Sequence, residues 1–592
     1  MIPTRLFDCI ETHVKDSPGR TMLAGKENGT WKKYTSVEVA GIVDKLSSGL
    51  LYWGIGPGDL SIEGRDKVAV ISKNRPEWVM LDLAVQKLGG VLVPVYPTIS
   101  EDELQFILRD ANVKLIFVND QSLFEKVNAI KQNLPNLKEI ISFEKIDGVK
   151  HWEEVFLPLT ENILGEIKSI SDKIKNEDLA TIIYTSGTTG TPKGVMLSHK
   201  NILTNVMDSM PYFPPGNNLK ALSFLPLNHV FERMIMFLYL FKGTSIFFAE
   251  SIETIPENLR EIKPHLFTTV PRLLEKVYEK IMQKGGELSG IKRKLFFWAH
   301  RLGLRFDFNK RRNPVYKIQL SLANRLIFKK WREALGNNII CIISGGAACQ
   351  VRLLKIFTAA NIPIMEGYGL TETSPVISVN RFEEKGRMLG TVGPVIQNVE
   401  VKFGDDGEIL CKGPNVMMGY YKHPELTEEV MENGWFKTGD IGVMVGRFLK
   451  ITDRKKEIFK TSGGKYVAPL AIENRLKESR FIENIMVLGA GEKFVSALII
   501  PSFNNLKTWC IHENIDYSDN QKIIQNLRIK EFYKKEIARF DKYFSHVEQV
   551  KKFELLAHEW STESGELTPK LSLRRKVIME KNNDIIRNIY SS

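Results

Sequence analysis

Short β-rich runs separated by helical stretches recur along the chain, and this alternation restricts the fold more than any other feature. "DKVAVIS" (Asp66 to Ser72), "GGVLVPVYP" (Gly89 to Pro97), "KLIFVN" (Lys114 to Asn119) and "LATIIYTSG" (Leu179 to Gly187) are such runs. Between the first two, "EWVMLDLAVQKLG" (Glu77 to Gly89) carries apolar residues at helical spacing and ends in glycine, as a crossover helix does. The pattern returns in "IICIISGGA" (Ile339 to Ala347) and "IPIMEGYG" (Ile362 to Gly369). Strands followed by helices predict parallel α/β units. Past about Lys402 the texture changes. "KFGDDGEILCKG" (Lys402 to Gly413) predicts a hairpin with a DG turn, and the charged "ITDRKKEIFK" (Ile451 to Lys460) suits a linker into a smaller α+β unit. A chain of 592 residues exceeds one ordinary core, and the expected division is residues 1–452 followed by 453–592.

Composition narrows the class. Hydrophobic content of 43% with 26% charged residues describes a globular protein. Cys9, Cys341, Cys349, Cys411 and Cys510 are scattered, odd in number and form no CxxC pair, which argues against a disulfide framework or a zinc site. No secretion signal is visible in "MIPTRLFDCIETHVKDS", and the apolar run Met234 to Phe241 is too short to span a bilayer, so a cytoplasmic location is expected.

The net charge of +12 is local. Lys292 to Glu333 holds thirteen Lys or Arg against two acids, an excess of +11. Within it "KRKLFFWAHRLGLRF" places Ile291, Leu295, Trp298 and Leu302 on one helical stripe, and a second helix is expected within Tyr316 to Leu335. Two readings stay open: a helix pair packed on the body with a solvated basic face, or a peripheral membrane contact through Lys292 to Arg332. Nucleic-acid binding is suggested by charge alone, with no accompanying motif, and is not expected.

"YTSGTTGTPKGV" (Tyr184 to Val195) follows an apolar strand and packs three glycines, five hydroxyl residues and Lys193 into one loop, a composition able to wrap phosphates with N–H groups and hydroxyls. It is not a Walker A loop, because Pro192 and Gly194 flank the lysine. "LPLNHVFERM" (Leu225 to Met234), "SGGAA" (Ser344 to Ala348), "EGYGLTETSP" (Glu366 to Pro375), "GWFKTGD" (Gly434 to Asp440) and "DRKKEIFKTSGGKYVAP" follow in order. Jointly they resemble the AMP-forming adenylating enzymes, the superfamily of acyl-CoA synthetases, peptide-synthetase adenylation domains and luciferases. "TTVPRLLEKV" (Thr268 to Val277) and "NHVFER" are most similar to the long-chain fatty acyl-CoA synthetases.

The resemblance implies an α/β fold with a large N-terminal domain of parallel-sheet subdomains and a small β-barrel-like part, followed by a smaller mobile α+β domain. It implies ATP, Mg²⁺ and coenzyme A as cofactors and co-substrates, and a long-chain fatty acid as substrate. Thr185, Ser186, Gly187, Thr188, Thr189, Gly190, Thr191 and Lys193 would hold phosphates; Gly346, Glu366, Gly367, Tyr368 and Gly369 would line the adenine side. Thr371 would meet the phosphate, with Glu372 and Thr185 on Mg²⁺, the one metal expected. His229 and Val230 would line the acyl and nucleotide site. Asp440 and Arg454 would take the ribose, Lys456 the hinge, and Lys460 the phosphate end.

The tail is where the sequence departs from that pattern. Long-chain members resemble "ELTPTLK", whereas "ELTPKLSLRR" puts Ser572 at the place of the family's lysine and Lys570 two residues earlier. Positions two apart in extended chain face the same side, so Lys570 is the expected catalytic cation, with Lys460 or Arg574 able to share its load. The expected activity is a two-step fatty acid:CoA ligase; a fatty acyl-AMP ligase that loads a carrier protein is the near alternative.

Overall fold

The computed structural model describes residues 3–186, 192–216, 218–308, 313–568 and 572–591. The chain divides into two compact units. The larger comprises residues 1–346, 353–401 and 411–437, the smaller 347–352, 402–410 and 438–592.

Two eight-stranded sheets build the larger unit. In the first, Leu179–Ser186, Val91–Val95, Lys67–Ile71, Val113–Val118 and Glu139–Ser142 lie side by side and parallel. From Leu179 to Tyr184 and along the other four strands, Lys114 and Glu139 apart, their side chains are buried on both faces, which is why they read as near-continuous apolar runs. Beyond Leu179–Ser186 the sheet turns antiparallel through Pro192–Ser198 and Gly419–Tyr420. The second sheet has a parallel core that includes Leu266–Thr269, Cys341–Ser344 and Ile364–Gly369, with Val376–Val379 antiparallel at one edge.

The helix expected after the first strand runs Pro76–Lys87, opened by proline, with Gly89 at φ +70° just past its end. It joins the parallel strands Lys67–Ile71 and Val91–Val95 as the expected crossover helix, and every residue from Pro76 to Gln86 is buried. An all-round apolar surface demands that burial, and Asp82 and Gln86 tolerate it because Gln86 donates to the Asp82 carboxylate.

The basic segment forms helices Gly290–Leu304 and Pro314–Ala323, the latter continued by a π-turn at Asn324–Phe328 and by Lys329–Ala334. Of the stripe Ile291, Leu295, Trp298, Leu302 only Leu302 is buried. Phe296, Ala299, Leu302 and Gly303 point inward, while Ile291 is 77% exposed. Neighbouring glycines decide this. A Cβ on Gly285 would stand 2.0 Å from the Phe296 ring, and one on Gly303 would stand 2.9 Å from Ile356. Nor is Arg332 a surface cation, since its guanidinium donates to Asn324 Oδ1 (2.8 Å) and to the Ala360 carbonyl (2.7 Å).

The smaller unit is α+β. Its sheet is Ile482–Leu488, Val495–Pro501 and Val550–Leu555. Strand periodicity splits its core in two: Ile485 and Val487 pack with helices Pro469–Leu476 and Leu527–Asp541, whereas Met486 and Leu488 pack with Arg575–Lys581 and Asn583–Ser591. The expected DG hairpin is present, with Gly407 at φ +80° and Gly404 N–H donating to Glu408 O, in a five-stranded half-barrel sheet. The charged segment expected as a linker is strand as far as Arg454. All five cysteines are buried free thiols, and among the described residues no helix is long and apolar enough to cross a membrane.

Candidate active site

Strands Leu179–Ser186 and Pro192–Ser198 form the stem of the glycine- and threonine-rich loop and set Thr185 directly opposite Lys193. Gly187, Thr188, Thr189, Gly190 and Thr191, with the side chain of Ser186, lie outside the described residues. Gly194 closes the stem because a Cβ there would meet Ile182 at 2.8 Å and the Tyr184 ring at 3.2 Å.

Lys193 Nζ lies 5.4 Å from the centroid of the Tyr420 ring, and Tyr420 Oη donates to Glu372 Oε1 at 2.9 Å. The edge strand Gly419–Tyr420 makes this possible by pairing Tyr420 with Val195. The Glu372 carbonyl accepts from Met417 N–H at 2.8 Å, and Asn415 Nδ2 donates to the Thr373 carbonyl at 2.9 Å. Burial and the Glu372 carboxylate push the Tyr420 phenol well above its ordinary range, so it stays a donor. Sequence reasoning missed Tyr420, the first of two adjacent tyrosines in "VMMGYY"; the only signal was a Gly-Tyr pair beyond a turn.

Glu366, Gly367, Tyr368 and Gly369 follow one another on strand Ile364–Gly369. Glu366 is buried and paired with Ser344, the end of the strand that leads to Gly346, where φ is +82°. Tyr368 sits opposite Ser378. A Cβ on Gly369 would stand 1.6 Å from the Pro375 carbonyl oxygen, so only glycine lets the chain fold back there; Gly367 has ordinary room. Thr371 is buried and opens the short helix Thr371–Thr373 that carries Glu372. The structure thus brings Thr185, Lys193, Thr371 and Glu372 into one part of the larger unit, joined through Tyr420.

His229 caps helix Val230–Phe241, its Nδ1 accepting from Phe231 N–H at 3.0 Å. Val230 is buried in the core. Asn74 fixes the preceding turn, donating to Leu225 O (2.6 Å) and accepting from Leu227 N–H (3.0 Å). One turn into the helix, Glu232 accepts from Ser223 and Thr268 hydroxyls, and burial pushes its carboxyl up to about 7. Arg233 forms a fork onto Asp82 (2.9 and 2.5 Å) and donates to Thr181 Oγ1 at 2.6 Å. Neither Glu232 nor Arg233 had a spacing that marked it as more than a charge within an apolar helix.

In the smaller unit, Asp440 and Arg454 occupy paired positions on adjacent strands, with Arg454 Nε 3.6 Å from Asp440 Oδ1. Lys455 reaches Asp406 at 2.7 Å and Glu408 at 2.6 Å. Lys456 is exposed. Asp453 is buried, and its carboxyl is raised to about 6 chiefly by that burial. Exposed Lys460 lies opposite Tyr466, with Nζ 5.5 Å from its ring centroid. In the tail, Thr568 N–H donates to Ser572 O at 2.8 Å; Lys570 lies outside the described residues. Arg575 is fastened to Glu473 (2.5 Å), Glu457 (3.2 Å) and Val487 O (3.1 Å).

Residues 10–421 match the family described as AMP-binding enzyme, and residues 456–592 match the AMP-binding enzyme C-terminal domain. The chain belongs to the AMP-binding enzyme family. Its relatives include the long-chain-fatty-acid–CoA ligase FadD15 of Mycobacterium bovis, 30% identical over 98% of this chain and 96% of that one. Long chain acyl-CoA synthetase 5 of Arabidopsis thaliana is 32% identical over 99% of this chain and 92% of that one. Among solved structures, the adenylation domain of a carboxylate reductase from Mycobacterium chelonae superposes with a TM-score of 0.76 at 18% identity, covering 100% and 92% of the two chains. The o-succinylbenzoate coenzyme A synthetase of Bacillus subtilis, solved with ATP and magnesium ion, superposes with a TM-score of 0.67 at 19% identity over 96% and 98%. These structures share the fold of this AMP-binding enzyme.

The donors near Lys193 fit magnesium. Glu372 supplies a carboxylate oriented by Tyr420, and Thr185 a hydroxyl, hard oxygens of the kind Mg²⁺ takes beside substrate phosphates. Among the described residues there is no cluster of three or more His, Cys, Asp or Glu.

Proposed function

We propose that this AMP-binding enzyme is a long-chain fatty acid:CoA ligase that forms an acyl-adenylate and then an acyl-CoA. The observation that carries this reading is the Lys193, Tyr420, Glu372 constellation at the stem of the phosphate loop; the relatives' names supply the substrate class.

In the first step a fatty carboxylate oxygen bonds to the α-phosphorus of ATP, and the bond from that phosphorus to the bridging oxygen of pyrophosphate breaks. Two anions must be brought together, so the chain's task is to supply cations and N–H donors rather than a nucleophile. The loop from Thr185 to Lys193 holds the phosphates; Tyr368 lies against adenine, flanked by Gly346, Glu366, Gly367 and Gly369. Thr371 donates to the phosphate. Glu372 and Thr185 would hold Mg²⁺, which when bound would supply charge neutralisation beside the phosphates. Asp440 accepts from the ribose hydroxyls and Arg454 donates there. His229 and Val230 border the acyl entrance, and Lys570 with Lys460 grips the carboxylate and α-phosphate.

In the second step the thiolate of coenzyme A bonds to the acyl carbon and AMP leaves with the electron pair of the broken C–O bond. Lysine must withdraw to admit the thiol, so residues 453–592 turn about Asp453 to Lys456.

AMP release measured with ATP, palmitate and coenzyme A tests the reading. Release that requires coenzyme A supports it; acyl-adenylate that forms and persists until a carrier protein is added instead identifies the acyl-AMP ligase.

A further inference from the structure

Asp110 stands outside the constellation described above, and we infer that it is a positioning residue that fixes the stem of the phosphate loop for ATP. The inference rests on the proposed reading of the loop from Thr185 to Lys193 as the holder of phosphates. Asp110 ends helix Glu101–Asp110, and two donors from distant stretches of chain converge on it. Its Oδ2 accepts from Tyr184 Oη at 2.5 Å, and its backbone carbonyl accepts from Lys422 Nζ at 2.5 Å. Tyr184 immediately precedes Thr185 on one strand of the stem. Lys422 lies two residues beyond Tyr420, on the strap that brings Tyr420 to Glu372. One residue thus holds both the strand that carries Thr185 and the strap that carries Tyr420.

The local geometry favours placement over simple packing. Successive strand residues face opposite sides, so Tyr184 turns towards the helix and its apolar neighbours while Thr185 faces the other way. Phe106, one turn before Asp110 on the same helix face, meets the Tyr184 ring edge-on at 6.5 Å, and Gly194 opposite leaves the space that the ring fills. A phenylalanine would pack in that space with no acceptor at all. A carboxylate in the last turn of a helix, moreover, faces the negative end of its dipole, so a tie built this way is costlier than an apolar contact. Its donor is secure: burial and the Asp110 carboxylate raise the Tyr184 phenol well above its ordinary range. The strap is registered separately, with Met418 N–H donating to Met196 O at 3.0 Å, Tyr421 N–H to Gly194 O at 2.7 Å and Tyr421 Oη to Glu63 Oε2 at 2.7 Å. Lys422 adopts φ +57°, a left-handed turn uncommon outside glycine, and its Nζ reaches Asp110 from there. Without the Asp110 carboxylate the stem loses its tie to the helix while the strap keeps its own pairing.

Calorimetric titration of magnesium-ATP into the full chain, without fatty acid, tests the inference. Asp110→Ala and Tyr184→Phe should each raise the ATP Kd about tenfold, the change expected when a hydrogen bond to a charged group is lost. Asp110→Asn, whose amide oxygen still accepts from Tyr184, should stay near the parent. Asp110→Ala combined with Tyr184→Phe should bind no more weakly than either single variant, because both remove the same bond. If Asp110→Ala does not fold, Tyr184→Phe, which keeps the ring, decides. A folded variant that melts earlier but binds ATP as the parent does would make the tie structural only and overturn the inference, as would an Asp110→Asn protein no better than Asp110→Ala. Palmitate-dependent AMP release by the parent is measured alongside. Its absence in a parent that binds ATP would sink the ligase reading and leave Asp110 to be decided by the Kd values alone.

Discussion

Tyr420 Oη donates to Glu372 Oε1 at 2.9 Å, while its ring lies 5.4 Å from Lys193 Nζ. One side chain thereby orients a carboxylate and steadies an ammonium that derive from distant parts of the sequence. A hydrogen bond to a charged group is worth about 1.5–3 kcal/mol, and every 1.4 kcal/mol is tenfold in an equilibrium. Tyr420→Phe is expected to raise the Mg²⁺ concentration needed for half-maximal pyrophosphate exchange about tenfold. A magnesium titration of the exchange rate checks this; an unchanged midpoint would remove Tyr420 from any orienting role.

Asp82 and Arg233 are both buried and bonded as a fork. Removing one partner strands the other charge, at a cost of about 3–5 kcal/mol. Asp82→Asn should lower the urea midpoint accordingly, and Asp82→Leu combined with Arg233→Met should recover most of the loss. A double variant as unstable as the single one would show that the pair does more than neutralise itself.

The Glu232 carboxyl is pushed up to about 7 in the folded chain from an ordinary value of 4.5. The folded state therefore keeps a proton that the unfolded chain has released. Its contribution to stability is complete below pH 4.5 and is lost as pH rises to 7, a change of about 3 kcal/mol. Glu232→Gln, which does not titrate, should flatten the stability profile across that window. Urea unfolding at pH 5 and pH 7.5 provides the comparison, and parallel slopes in the two proteins would contradict it.

Lys570→Ala should abolish most pyrophosphate exchange while leaving ATP binding by calorimetry nearly intact. Near-normal exchange would pass the role to Lys460, whose Nζ is exposed beside Tyr466.

Lys456→Pro should impair acyl transfer to coenzyme A more than pyrophosphate exchange if, as proposed, the C-terminal body turns about Asp453 to Lys456, because proline stiffens that segment. Equal losses in the two assays would argue against a hinge there.

Much of the fold is legible because the parallel strands are buried on both faces and so appear as unbroken apolar runs between helices. The glycines of the site are legible for a related reason: Gly369 stands where the Pro375 carbonyl leaves no space for a Cβ. What the sequence hides is partnership across long distances. Nothing local tells that Tyr420 will pair beside Val195, or that Arg233 will meet Asp82 on a different helix. The buried face of Gly290–Leu304 is hidden for the same reason, because Gly285 and Ile356, outside that helix, decide which side chains can enter.

The smaller unit draws on three separated stretches of chain, and Lys455 is held by Asp406 and Glu408 from one of them. No single cut in the gene can therefore release it whole. A C-terminal fragment begun after residue 437 would lose both carboxylates and residues 347–352 as well, so an excised version that keeps the unit whole has to carry residues 347–352 and 402–410 back in.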